Sequence, residues 1–333
     1  MEEFLIMQQE LRFATFNTFN LAPPGVKLYD NLAPSTAEQY EAKLDWTARQ
    51  LDLIDADVIG FQEIFSQDAL RAALARTTRY RDARHIGFDP DPAALRLTPS
   101  VALVTRLPLA QPASQLVDFP EGINMPPGSR DAERFTRAPL HVALQVTPDL
   151  TVDVIVVHLK SRRPDYRNGD SGDDPQLYAL ACLRSLVRRG TEAAALRVLL
   201  AEMARTLHRP RIVMGDFNDV ADSVTTGIVM GVGAPLGERL FDACQLQRRY
   251  DCQRDVAFSC VHDGRYSTID HVLVSEDFHR DLPNAIGEVV DVISLNDHLL
   301  LNAPGASDHG QVIARLRLFD ETHGFTSFNE AGL

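Results

Sequence analysis

Short apolar runs recur along the chain, and each begins or ends at a polar side chain. Leu11 to Phe16 is rich in apolar residues and ends at Asn17. Val58-Ile-Gly-Phe61 runs into Gln62 and Glu63. Val154-Ile-Val-Val157 ends at His158, with Lys160 two positions on. Ile212 to Met214 leads through Gly215 to Asp216 and Asn218. Asp270 opens His271-Val-Leu-Val274, and Ser307-Asp-His309 precedes Val312-Ile-Ala314. Such runs predict buried strands. Residues two apart on a strand point the same way, so Asp216 and Asn218 aim together if the backbone stays extended past Gly215. By the same alternation Lys160 shares a side with His158. A turn accounts for any single Gly-Asp-x-Asn, but not for six polar ends in this order.

Two further strands are predicted at Ser100–Thr105 and Leu140–Val146. Lys43 to Ile54 places Leu44, Ala48, Leu51 and Ile54 on one helical stripe. Gln67 to Ala75 reads as a shorter helix. Pro175 to Leu207 is helical in pattern, with Thr191 predicted to cap a helix that buries Leu196, Leu199, Leu200 and Met203. Segments rich in Pro, Gly and Asp at 22–36, 87–99, 119–131 and 163–175 read as rim loops, where specificity tends to reside.

Composition narrows the class. At 333 residues, 45% hydrophobic and 24% charged, the chain is globular in character. No run is long enough for a membrane helix. The start, Met-Glu-Glu-Phe-Leu-Ile-Met, lacks the features of a secretory signal, so a cytoplasmic location is expected. Cys182, Cys244, Cys252 and Cys260 show no Cys-x-x-Cys spacing and read as free thiols. A net charge of −13 argues against tight, non-specific duplex binding. Basic residues do cluster locally, at Arg130, Arg134 and Arg137 and at Lys160, Arg162, Arg163 and Arg167.

Six stretches together resemble the endonuclease/exonuclease/phosphatase superfamily, the DNase I-like group that includes abasic-site endonucleases, inositol polyphosphate phosphatases and bacterial sphingomyelinases. They are Ala14–Leu21, Ala56–Glu63, Val157–Ser161, Gly215–Asp219, Ile269–Ser275 and Ser307–His309. They keep the family's order across most of the chain. The resemblance implies an α/β four-layer sandwich, two mixed sheets face to face with helices outside. It implies one domain over 11–318, with terminal extensions at 1–10 and 319–333.

The resemblance also implies a divalent-metal-dependent phosphoester hydrolase. Carboxylate and amide oxygens suit Mg²⁺ or Mn²⁺. Glu63 is the expected metal ligand, supported by Asn17, with Asp308 a further ligand. Asp216 and Asn218 are expected to orient water and phosphoryl group, with Asp216 as base. His309 is expected on the phosphate with Asp270 behind it, and His158 as the second histidine. No acidic partner for His158 can be placed from sequence. Arg137 and Lys160 are candidate substrate contacts, and Asn20 a loop brace. The Asp297-His298 pair and His271 read as structural. The expected substrate is a phosphodiester, with nucleic acid a candidate. A phosphomonoesterase or sphingomyelinase-like lipid phosphodiesterase is the alternative, and a non-catalytic binding protein a remote one. No protein partner is predicted.

Overall fold

A computed structural model describes residues 9–29, 31–89, 97–126, 129, 132–167, 170–247, 257–301 and 303–319. The terminal extensions therefore fall almost wholly outside the described residues, as do Arg130, Cys252 and parts of all four rim loops. Cys182, Cys244 and Cys260 are free thiols.

The first strands are β1 (Glu10–Leu21), β2 (Val58–Ile64), β3 (Arg84–Gly87), β4 (Ser100–Thr105), β5 (Ser114–Gln115), β6 (Leu140–Thr147) and β7 (Leu150–His158). Then follow β8 (Arg211–Asp216), β9 (Leu240–Asp242), β10 (Cys260–His262), β11 (Arg265–Ser267), β12 (Asp270–Ser275), β13 (Gly287–Leu295) and β14 (Gln311–Leu318). The helices are α1 (Ala37–Ile54), α2 (Gln67–Leu74), α3 (Pro175–Leu207), α4 (Val224–Met230) and α5 (Ala243–Leu246).

Two six-stranded sheets result, ordered β13-β14-β1-β2-β4-β3 and β5-β6-β7-β8-β12-β9, with β10-β11 a separate hairpin. Both follow one plan. A parallel pair stands at the centre, β1 with β2 and β7 with β8, and antiparallel strands flank it. A parallel pair needs a long crossover, and α1 and α3 supply it.

Burial explains the layering. Between the sheets Phe13, Leu103, Leu144, Val154, Val156 and Met214 form one interior. Each such side chain contributes roughly 1.5–3 kcal/mol when fully buried. A Cβ on Gly60 would sit 3.0 Å from a Val156 methyl, so the bare glycine permits close approach of the sheets. On the outer face of the first sheet, Phe16, Trp46, Leu51, Ile59 and Leu70 join it to α1 and α2. On the second, Ile155, Val157, Leu196, Leu200, Val213 and Val229 join it to α3 and α4. The arrangement is the four-layer α/β sandwich expected from the sequence. No described helix is long and apolar enough to cross a membrane.

Helix boundaries differ from expectation where caps decide them. α1 begins at Ala37 and not at Lys43, because Thr36 and Gln39 exchange side-chain and backbone bonds in a capping box. α3 is one uninterrupted helix whose cap is Asp174, bonded to the amides of Gln176 and Leu177. Thr191 lies inside it and donates to the Val187 carbonyl one turn back (2.9 Å), so it continues the helix and caps nothing.

Candidate active site

The strand order gathers the polar ends at one edge of the molecule. Asn17 lies opposite Gln62 across the β1–β2 pair. His158 lies opposite Asp216 across β7–β8, and Asp270 opposite Asp216 across β12–β8. The parallel pairs present their carboxyl ends here. The antiparallel neighbours present their starts, Asp270 opening β12 and His309 standing just before β14.

Local backbone aims these groups. Gly215 has φ +152, and a Cβ there would meet the Val157 carbonyl oxygen at 1.9 Å. The glycine lets β8 bend beside β7 before Asp216. Asn218 adopts a left-handed conformation. Its amide N–H donates to Asp216 Oδ1 (2.7 Å), and its Nδ2 donates to Asp216 Oδ2 (3.1 Å) and to the Leu159 carbonyl (3.0 Å). The two residues are thus joined directly, by a turn and not by strand alternation. Glu63 is also left-handed, at a register break in β2.

The interior of the site is a network of acids and imidazoles. His309 Nδ1 lies 2.8 Å from Asp270 Oδ2. The Ser307 hydroxyl accepts from the His309 amide and donates to the Asn17 carbonyl, tying β14's entry to β1. The Ser259 hydroxyl accepts from the amides of Ile269 and Asp270. Asp216, Asp270 and His309 bring ligand-type atoms within 4.8 Å of one another. His158 Nε2 lies 3.4 Å from Asp216 Oδ2, so Asp216 is the acidic neighbour that sequence could not supply. His158 Nδ1 and Asp270 Oδ1 are buried and meet no hydrogen-bond partner among the described residues.

The two histidines are held in opposite states. Burial opposes charge on His309, but Asp270 and then Asp216 overcome it and hold its pKa well above the ordinary value. Burial pushes His158 well below, and the charges of Arg137 and His309 add to the effect. Asp216 is pushed up to about 7, first by burial and then by Asp270.

Glu63 stands across from this group. Its Oε2 accepts the Asn20 amide (2.9 Å) and its Oε1 the Asn17 Nδ2 (3.4 Å). Burial raises its pKa, the His309 charge pulls it back, and Asp308 raises it again. A half-buried carboxylate beside a second acid fits a hard cation bound by few protein ligands and water. Asp308 is itself exposed, with Oδ1 4.0 Å from His309 Nε2. Asn17 turns its Nδ2 toward Glu63 and Asp216 (3.1 Å), while its Oδ1 accepts the Phe19 amide. It braces the carboxylates in this arrangement and presents no free oxygen. Asn20 acts through its backbone amide.

Arg137 donates from Nε to the His158 carbonyl (3.0 Å) and from Nη2 to the Leu159 carbonyl (2.8 Å), which fixes the guanidinium beside β7's end. Lys160 departs from expectation. β7 ends at His158, alternation stops there, and the Lys160 ammonium bonds Ser161, Arg163 and Ser185 instead of entering the group. The surrounding basic cluster is largely paired: Arg162 with Asp219, and Arg167 with Asp165. His271 faces away, bonded to Asp242 and the Asp219 carbonyl. His298 sits on a short 3₁₀ turn, Asp297–Leu300, and its Nε2 lies 2.8 Å from the His309 carbonyl, so His298 braces the site.

Sequence reasoning missed a buried clamp on α3. Glu192 Oε1 accepts from the Thr136 amide (3.0 Å) and Arg188 Nε (3.1 Å), and its Oε2 from the Lys160 amide (2.8 Å). Arg189 binds Asp219 Oδ2 and the Lys160 carbonyl. The signal was present: Arg188 and Glu192 share helical spacing with Ala181, Ser185 and Ala195, a core-facing row.

Comparisons with known proteins agree with this fold. Structures similar over nearly the whole chain include an endonuclease/exonuclease/phosphatase protein from Bacteroides vulgatus (TM-score 0.59, 16% identity, 94% of this chain and 100% of that one). A mannosyl-6-phosphatase from Bacteroides thetaiotaomicron is similar at TM-score 0.56 and 16% identity, over 92% of this chain and 99% of its own. ANGEL2, a 2′,3′-cyclic phosphatase in complex with adenosine-2′,3′-vanadate, is similar at TM-score 0.59 and 14% identity, over 94% and 97%. At such identities the likeness establishes the fold alone. No protein of curated function matches the sequence. The family model for Exo_endo_phos matches residues 14–309, and the chain belongs to the endonuclease/exonuclease/phosphatase family.

Proposed function

We propose that the protein is a divalent-cation-dependent phosphoester hydrolase that prefers phosphodiesters. One observation carries the reading: the Nε2 atoms of His158 (3.4 Å) and His309 (3.9 Å) flank one carboxylate, Asp216, with Asp270 behind His309, and burial pushes the Asp216 pKa up to about 7. That combination offers a proton donor and a base near neutral pH. Asp216 takes a proton from water as its oxygen bonds to phosphorus, with Asn218 holding the carboxylate in place. His309, oriented by Asp270, gives its proton to the departing oxygen. Arg137 and His158 contact the phosphoryl oxygens. Glu63 and Asp308, with Asn17 in support, would hold the cation, which when bound would neutralise charge at those oxygens.

A diester carries one negative charge, whereas a monoester carries nearly two at pH 7. With Glu63, Asp216, Asp270 and Asp308 converging, the diester meets less repulsion. The resemblance to a mannosyl-6-phosphatase keeps a monoesterase as the second reading. Nucleic acid is the favoured diester class, bound weakly in keeping with the net charge of −13.

The test compares bis-p-nitrophenyl phosphate with p-nitrophenyl phosphate under Mg²⁺ or Mn²⁺, with and without EDTA. Diester turnover should exceed monoester turnover, stop in EDTA, and fall by about 100-fold or more in Glu63→Gln. Full turnover in metal-depleted protein would remove the cation. Faster monoester turnover would install the second reading.

A further inference from the structure

Phe19 is held where a phenylalanine is expensive to place. Phe19 and Asn20 are consecutive left-handed residues, at φ 54 and φ 60. A bulky side chain in that region is a genuine outlier, and strain of this kind concentrates at functional sites. The turn has a use. It delivers the Phe19 amide to Asn17 Oδ1 (3.0 Å) and the Asn20 amide to Glu63 Oε2 (2.9 Å). Both bonds are made by backbone, so asparagine or glycine would serve the turn with less strain. The ring does not explain itself by packing either. Phe16 on the same strand is 0% exposed, whereas Phe19 is 40% exposed.

The ring's surroundings are specific. The Lys43 ammonium lies 5.5 Å from its centroid and donates to the Ala306 carbonyl. The same ammonium feels the charges of Asp308 and Glu63. The ring therefore stands at the Glu63–Asp308 side of the site, with a cation beside it.

We propose that Phe19 is a specificity-determining residue: its exposed ring stacks a planar, π-rich group attached to the scissile phosphate, a nucleobase. The inference rests on the phosphoester reading above and names the residue that holds the base. Stacking fits the geometry because any base has a π face, and no sequence reading is required. Lys43 keeps the ring upright by a cation–π contact.

The test is calorimetric binding of AMP and of ribose 5-phosphate, which share the phosphate and differ by the base. Wild type should bind AMP about 5- to 150-fold more tightly, the ratio that roughly 1–3 kcal/mol of stacking gives. Phe19→Leu should bring the ratio to about one while ribose 5-phosphate affinity holds, and Phe19→Tyr should restore it. Phe19→Asn separates function from fold. Asparagine tolerates the left-handed turn, so its Tm should equal or exceed wild type while base preference is lost. A wild-type ratio of one, or a ratio unchanged in Phe19→Leu, overturns the stacking subsite and leaves the phosphoester reading intact. Failure of both ligands to bind overturns the stacking subsite, while the phosphoester reading stands or falls on bis-p-nitrophenyl phosphate turnover.

Discussion

At the scale of single residues the site is governed by where protons rest. In the proposed role of base Asp216 must be ionised, and burial pushes its pKa up to about 7. Activity should therefore rise as pH climbs through neutrality. His309 must stay protonated, and its pKa is held well above the ordinary value, so the falling limb should lie on the alkaline side. Asp270 touches both limbs, since its charge raises Asp216 and His309 alike. In Asp270→Asn the entire kcat/KM profile should move toward acid, with a lower maximum. Limbs that stay in place while the maximum falls would mean Asp270 acts by shape alone. Because the groups interact, the profile reports the cluster and not isolated side chains.

At the scale of elements, α3 matters more than its distance from the chemistry suggests. Glu192 ties the Thr136 segment, which carries Arg137, to the Lys160 segment that follows His158. Glu192→Ala leaves the Thr136 and Lys160 amides without their acceptor and the buried Arg188 charge without its carboxylate. The loss should be about 3–5 kcal/mol of stability, read as a lower Tm. Glu192→Gln retains an acceptor, so it should unfold nearer to wild type. Its kcat should nevertheless fall by about 10- to 100-fold, since small displacements of positioning groups are costly. Unchanged kcat in Glu192→Gln would confine the clamp to stability.

The same elements show what could be read from sequence. Buried strands such as β7 and β8 are continuous apolar runs, and their polar ends announce Asn17, Glu63, His158 and Asp216. Short edge strands such as β5 and β9 carry no period and could not be read. β13 was also missed, although it runs from Gly287 to Leu295. Lys160 was misplaced because alternation was carried past the end of a strand. Arg188 and Glu192 were passed over because charges on a helix ordinarily face water. The direct bonding of Asn218 to Asp216 depends on a left-handed turn that no periodicity encodes.

At the scale of the whole molecule, neither sheet holds the site alone: Asn17, Glu63 and His309 come from the first, and His158, Asp216 and Asp270 from the second. The shared plan of the two sheets has a consequence for chain connectivity. Glu10 pairs opposite Arg317, and the Leu318 amide donates to the Gln9 carbonyl, so β1's start and β14's end are neighbours. Followed as a closed ring from β13, the chain builds the first sheet completely through β4, then the second completely from β5 through β12. The molecule is thus a tandem pair whose break falls inside the first member. A circular permutant in which a linker joins Gln9 to Phe319, opened between the exposed Pro283 and Asn284, would restore each sheet to one unbroken stretch. It should fold and retain phosphoesterase turnover. A permutant that cannot fold would show that β1 must begin the chain for its pairing with β14 to form.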